Sequence, residues 1–305
     1  MKKLLIRRLL AAIVVLLLAS ILVFALSRMS GDPRHLFLSE YTTDEQWEQW
    51  GRDFGLDKPY HEQYFRWLSG AVLLDFDISV KEQIPATTVV LRKIPNTLQL
   101  AAGAYVFALL VGIPLGIFSS ILRGTFLDLF ARGFALLGQA MPGFWLGIML
   151  ILIFAVWLGW VPAGGKDDLR SLILPSITLG WFAAAALLRL TRSAMLEILD
   201  SEFVKLARAK GASQWTVIIK HAFRNAIIVP LTFAGIFLSA LLTGAVVTET
   251  VFGWPGLGRL ALQSVFGTDF PVISAIVMFA TAGYLAMNLF VDILYGVLDP
   301  RIRQS

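Results

Sequence analysis

Apolar runs dominate this chain, and the polar stretches between them are short. The first run, LLAAIVVLLLASILVFAL from Leu9 to Leu26, carries no charge and follows the basic lead MKKLLIRR. It is longer than the roughly 7–15-residue core of a secretory signal, so it predicts a retained first transmembrane helix rather than a cleaved leader. Further runs predict spans over about Thr97 to Leu122, Leu129 to Trp160, Leu172 to Leu190, Ile227 to Val251 and Val272 to Leu298. Each is long enough to cross about 30 Å of hydrocarbon, and the run from Leu129 is long enough to tilt or to bend at MPGF, Met141 to Phe144. The expected fold is all-α and polytopic, with six transmembrane helices.

Two polar islands interrupt this pattern. In the first, TTDEQWEQWGRDFGL offers Thr43 as an N-cap with Gln46 three residues later and Gly55 as a stop. Trp47, Trp50, Phe54, Tyr60, Tyr64 and Trp67 recur there at roughly helical intervals, which predicts a small helical cap. The second island is EFVKLARAKGASQWTVIIKHAFRNAIIVP, Glu202 to Pro230. Its apolar residues Trp215, Ile218, Ile219, Ala222 and Phe223 have the i, i+3, i+4, i+7, i+8 spacing of one α-helical face. A shorter amphipathic helix precedes them and ends at Gly211, with Ser213 placed to cap the next. The expected shape is a helix, a Gly hinge and a second helix turning back to the membrane. An interfacial helix on lipid, an ordinary structured loop and a protein-docking knob are all open to it. Small Ala207, Ala209, Gly211 and Ala212 favour the knob, because a partner groove can close on their backbone.

Composition agrees with a membrane protein: 57% of the 305 residues are hydrophobic and 15% are charged, against about a quarter charged in soluble domains. The absence of cysteine excludes disulfides and thiolate chemistry, and His35, His61 and His221 are too scattered for a metal-ligand spacing. With the first helix starting in the cytoplasm, the inner segments hold fifteen of the 26 Lys and Arg but only five of the 21 Asp and Glu. That bias places both termini in the cytoplasm. It also accounts for the net charge of +5 through lipid headgroups, without nucleic acid. The chain divides into a lead and first helix at 1–27, an extracytoplasmic cap at 28–95, a five-helix core at 96–298 with a cytoplasmic loop at 192–225, and a tail at 299–305.

ARAKGAS...VIIKHAFRNAIIVP resembles the cytoplasmic loop of permease subunits of bacterial ATP-binding-cassette importers, in particular the dipeptide, oligopeptide and nickel permease family. The strings SGDPR, FGLDKPYHEQYFRWL, MPGFWLG, ILPSITLG, RLTRSAMLEIL, TETVFGWPGLGRL, DFPVI and NLFVDILYGVLDPRIR are similar to that family in the same order, over nearly the whole length. The resemblance implies a type I importer permease fold and a coupling helix seated in a groove of a cytoplasmic ATPase. It assigns that role to Glu202, Phe203, Lys205, Leu206, Ala207, Arg208, Ala209, Lys210, Gly211 and Ala212. The chain departs from the broad importer pattern in having Lys205 at an acidic position and its closing proline, Pro230, one residue late. The partners implied are a second homologous permease, two ATPase subunits, an extracytoplasmic solute-binding protein and the lipid bilayer. Relatives with this pattern handle peptides, nickel chelates, glutathione and other small solutes.

No cofactor is called for by the sequence. The nearest approach to a phosphate loop, PAGGKDD at Pro162 to Asp168, has Trp160 in place of the first Gly and Asp167 in place of Ser or Thr. No H-E-x-x-H or G-x-S-x-G occurs, so the chain reads as non-catalytic. Ionisable and polar groups at membrane depth are costly, which makes Glu249, Asn288 and Asp292 candidates for the translocation pathway. Each has a structural alternative. Glu249 can cap or pair at the outer interface, while Asn288 and Asp292, four residues apart, can lock helices together or pair with Arg189 or Arg192. A secondary transporter with discontinuous helices and a membrane scaffold are the readings outside this family.

Overall fold

The computed structural model describes residues 2–29, 34, 38, 42–53, 55–241 and 245–298. Residues 30–33 of SGDPR, Phe54, the positions 242–244 of the fifth expected span and the tail 299–305 lie outside them. The regular structure among the described residues is helical, with one isolated bridge between Ile78 and Pro85. Four helices are long and apolar enough to span a membrane unbroken, and two bent pairs bring the number to as many as six.

Helix α1, Lys2–Met29, leaves Leu, Ile and Val side chains open along its length, as suits a surface against lipid tails. Helix α2, Asp44–Asp53, begins with the expected reciprocal cap. Thr43 Oγ1 accepts from Gln46 N at 3.4 Å, and Gln46 Oε1 accepts from Thr43 N at 3.3 Å. Helix α3, Tyr60–Val72, packs back on α1 through a 2.8 Å hydrogen bond between Tyr64 and Ser20, and Phe24 lies against Tyr64 and Trp67.

Helix α4, Ala86–Ile121, starts eleven residues before the expected Thr97, so the anticipated boundary at 95–96 falls inside one helix. The extra turns form because Ala86, Val89 and Val90 are buried against Phe76, Val272, Ala275 and Ile276. Tertiary packing thus overrides a locally polar sequence. Helix α5, Phe126–Ala140, and α6, Gly143–Leu150, which runs on as a π-helical segment to Trp157, form one of the bent pairs. The angle between them is 117°, far more than the tilt or bend expected of the run from Leu129. Pro142 has no amide hydrogen to continue α5, and Met141 before it is held extended at ψ 134°.

Helix α7, Ile173–Leu199, also outruns its expectation, by nine residues beyond Leu190, and carries Arg189 and Arg192 inside the helix. It makes the most extensive pairing in the fold, with α4. Gly112 of α4 permits the approach: a Cβ there would lie 2.6 Å from the carbonyl oxygen of Ala184 and 2.8 Å from Leu187 Cβ. Such close approach at a small residue is how spans pack when no hydrophobic driving force acts between them. After the projecting loop come α9, Ile228–Leu241, and two short helices, α10, Val246–Val251, and α11, Leu257–Phe266. Helix α12, Phe270–Leu298, closes the described fold. Its start is pinned by Asp269, which accepts from Ser79 Oγ at 2.5 Å and from Lys81 N at 3.3 Å.

Candidate functional site

The loop between α7 and α9 opens with α8, Glu202–Ala209. Val204 is its one wholly buried residue and anchors it, while Phe203 and Leu206 stay 45% and 56% exposed. Lys205 pairs with Glu202 at 2.9 Å, and Arg208, Ala209 and Lys210 are exposed. The helix ends in a Schellman motif. Gly211 N donates to Arg208 O at 2.9 Å and Ala212 N to Ala207 O at 3.2 Å, with Gly211 at φ +81°. Open space surrounds Gly211, so its backbone angle rather than crowding demands glycine. The ten sequence-predicted residues from Glu202 to Ala212 therefore form one contiguous element.

Ser213 caps the returning segment as expected, accepting from Thr216 N at 3.4 Å. That segment is not α-helical. Thr216–Phe223 is π-helical, so its turn is wider and the buried set is Val217, Ile218, Ala222 and Ala226 rather than the predicted five. Ile218, Ala222 and Ala226 pack on Met195, Ile117 and Ile198, whereas Trp215 and Ile219 are left exposed. The segment then meets α9 at a 51° bend near Pro230, whose missing amide hydrogen weakens the junction. A cavity of about 190 Å³ lies at the root of the loop, between Ile121, Leu199, Arg208 and Val217.

Beside this root lies an ionic node whose residues stand out in the sequence only as charges. Asp128, in the first turn of α5, is 2% exposed. It accepts from Ser119 Oγ at 2.7 Å, Gly124 N at 3.1 Å and Arg192 Nε at 3.2 Å, and Arg132 stands 3.6 Å away. One carboxylate thereby ties together α4, α5 and α7. Asp128→Asn keeps one acceptor and turns the other oxygen into a donor facing donors. It should cost about 1–3 kcal/mol in the thermal unfolding of the detergent-solubilised chain. An unchanged midpoint would show that the node carries no stability.

The three pathway candidates are not brought together. Glu249 is fully buried. Its Oε1 accepts from Thr97 Oγ1 at 2.7 Å and its Oε2 from Arg259 N at 2.9 Å, while Thr97 Oγ1 accepts from Leu257 N at 2.8 Å. The carboxylate thus caps α11, whose own N-cap, Gly256, has no side chain to offer. This is the capping geometry named as its structural alternative. Trp254 completes the junction: its indole donates to Asn96 O at 2.9 Å, and Asn96 Nδ2 donates to Pro255 O at 2.7 Å. Asp292 pairs with Arg8 of α1 at 2.8 Å and so ties α12 to α1, the helix-locking alternative, while Arg192 is engaged by Asp128 and Arg189 by Gln139. Asn288 is half-buried on α12.

Described residues whose regular structure is helical, with up to six apolar spans and a short helix that leaves charged and apolar groups exposed, make a polytopic membrane protein. The chain belongs to the binding-protein-dependent transport system inner membrane component family, whose model matches residues 112–304. The model for the N-terminal region of such membrane components matches residues 1–101. It is the inner-membrane permease subunit of an ATP-binding-cassette importer, and as such works with ATPase subunits and a solute-binding protein. It is 38% identical to a peptide transport system permease protein of Brucella abortus (strain 2308), covering 99% of each chain. It is also 38% identical to the glutathione transport system permease protein GsiC of Escherichia coli (strain K12), covering 98% of each. The fold resembles that of the inward-facing MetNI methionine ABC transporter, with a TM-score of 0.55 at 20% identity over 69% of this chain and 96% of that one.

Proposed function

We propose that this chain forms one half of a translocation pathway for dipeptides, oligopeptides or similarly small peptide-like solutes, and that α8 with Lys210, Gly211 and Ala212 is the lever through which ATP hydrolysis elsewhere moves it. A second, similar permease completes the pathway, two ATPase subunits grip the levers from the cytoplasm, and a solute-binding protein delivers solute to the opposite face. The chain itself is non-catalytic and has both termini in the cytoplasm. Residues 28–95 contribute to the outer dock and 96–298 to the pathway. The observation that carries the reading is the projecting helix: Val204 and the Schellman turn fix its frame, and Phe203 and Leu206 are left open on it. Apolar side chains held rigidly in the open are what a partner groove can bury. The small cavity at the root leaves room for the lever to shift against α4 and α7.

The test is peptide uptake into vesicles holding the whole complex, with its binding protein outside and ATP enclosed. Uptake should require ATP. Leu206→Asp should lower it roughly 10-fold or more, by placing a charge where an apolar contact is buried, and should release the ATPase subunits without loss of the folded permease. Uptake driven by an ion gradient in the absence of ATP would establish a secondary transporter instead. An assembled complex indifferent to Leu206→Asp would remove the lever from this site.

A further inference from the structure

The most enclosed of the four unbroken spans is α7; apart from Ile173 at its start, its exposed residues lie on one stripe that is apolar at Phe182 and polar from Arg189 onward. Phe182, Arg189, Ser193 and Glu197 are exposed at intervals of seven, four and four residues, which places them on a single helix face. The open face of α1, by contrast, is Leu, Ile and Val. A face carrying Arg, Ser and Glu does not suit hydrocarbon, but it does suit a water-filled route. Arg189 lies ten residues from Leu199, roughly 15 Å from the end of α7 that carries the loop. Its Nη1 donates to Gln139 Oε1 at 3.0 Å, a neutral partner in the last turn of α5, just before the 117° bend. Its neighbour Arg192 is neutralised by Asp128, yet among the described residues Arg189 forms no ion pair. One of its five N–H donors is spent on Gln139, which leaves enough of the planar fork for a bidentate acceptor.

We infer that Arg189 is a carboxylate-binding residue of the translocation route, where it receives the terminal carboxylate of a peptide in transit while Gln139 steadies the guanidinium. Phe182, two turns along the same stripe, offers an apolar surface to the adjoining side chain. The inference rests on the import reading above and adds to it the chemical group that the route recognises. Asp292 and Glu249 do not take the place of that carboxylate on Arg189, since each is engaged elsewhere.

The experiment uses the complete reconstituted complex with two probes, trialanine and its C-terminal amide, at concentrations shown to saturate the solute-binding protein. Wild-type vesicles should prefer the free acid. Arg189→Gln should lower the acid-to-amide uptake ratio about 10-fold or more, as loss of a charge-assisted pair implies, with amide uptake changed less than about twofold. Arg189→Lys, which keeps the charge but not the fork, should fall between them. Equal losses for both probes would overturn the inference, as would a wild-type ratio near one. Failure of Arg189→Gln to co-purify with the second permease would also overturn it, by showing that the guanidinium pairs with a carboxylate of that chain. If neither probe enters wild-type vesicles, the import reading fails and this inference fails with it.

Discussion

Gly112→Leu should leave no stably folded permease. The α4–α7 pairing is the largest in the fold, and at Gly112 the two backbones approach so closely that even a Cβ would meet Ala184 O at 2.6 Å. That neighbour is a main-chain atom and cannot swing aside, so a leucine must push the helices apart. Separation would strip contacts from Ala108, Ala183, Ala184 and Leu187, all wholly buried. Overpacking alone costs about 1–3 kcal/mol, and the forfeited dispersion contacts raise the expected loss to about 4 kcal/mol or more. Size-exclusion profiles and thermal unfolding of the detergent-solubilised chain measure it. Gly133→Ala on α5 is the control: no atom lies within 4 Å of its Cβ position, so the better helix former should be neutral or stabilising by up to about 1 kcal/mol. A Gly112→Leu protein as stable as wild type would mean that α4 and α7 are not held in this register.

The residues that spoke plainly in the sequence are those whose signal is local. The apolar runs of α1, α4, α7 and α12 announced spans because nothing but length and hydropathy is needed to read them. The caps at Thr43 and Gly211 were legible because a capping box and a Schellman glycine are short-range chemistry. The break at Met141–Pro142 was visible as a place to bend, but its 117° angle depends on what α5 and α6 pack against. The early start of α4 and the late end of α7 were hidden because polar turns there are stabilised by distant partners, Val272 and Ile276 in one case and Asp128 with Arg192 in the other. The π-helical turn at Thr216–Phe223 departs from the 3.6-residue period: it exposes Trp215 and Ile219, which an α-helix would have turned inward.

Within the site, the projecting helix could be read from a small amphipathic segment closed by glycine. The Asp128 node could not, because its donors come from positions as far apart as Ser119, Gly124 and Arg192. The charge in AAAALLRLTR was the one usable signal for the α7 stripe. Arg189 stands at the inner edge of the expected span Leu172 to Leu190, and counting it with the inner basic residues concealed it; α7 continues ten residues beyond it, to Leu199.

Glu249→Ala decides between the two roles open to that carboxylate. In the capping role its loss removes the acceptor for Thr97 Oγ1 and for Arg259 N, two hydrogen bonds to an ionisable group in a fully buried setting. At about 1.5–3 kcal/mol each, the expected cost is about 3–6 kcal/mol, at the upper end for a single substitution. The damage should be local at first. Once α11 loses its cap, Trp254 and Pro255 are no longer held on Asn96, so amide exchange should accelerate across residues 252–260 while α7 stays protected. Glu249→Gln should cost less, because one oxygen still accepts, but its amide nitrogen must then face a backbone donor. A carboxylate acting only on passing solute predicts the reverse pattern: uptake falls for both variants while unfolding and exchange remain as in wild type. Glu249 is closed off by Thr97, Gly256 and Arg259, with no room even for a Cβ on Gly256, which would come within 2.1 Å of Oε1. A group so enclosed can reach solute only after this junction opens, and the junction is what the carboxylate holds shut.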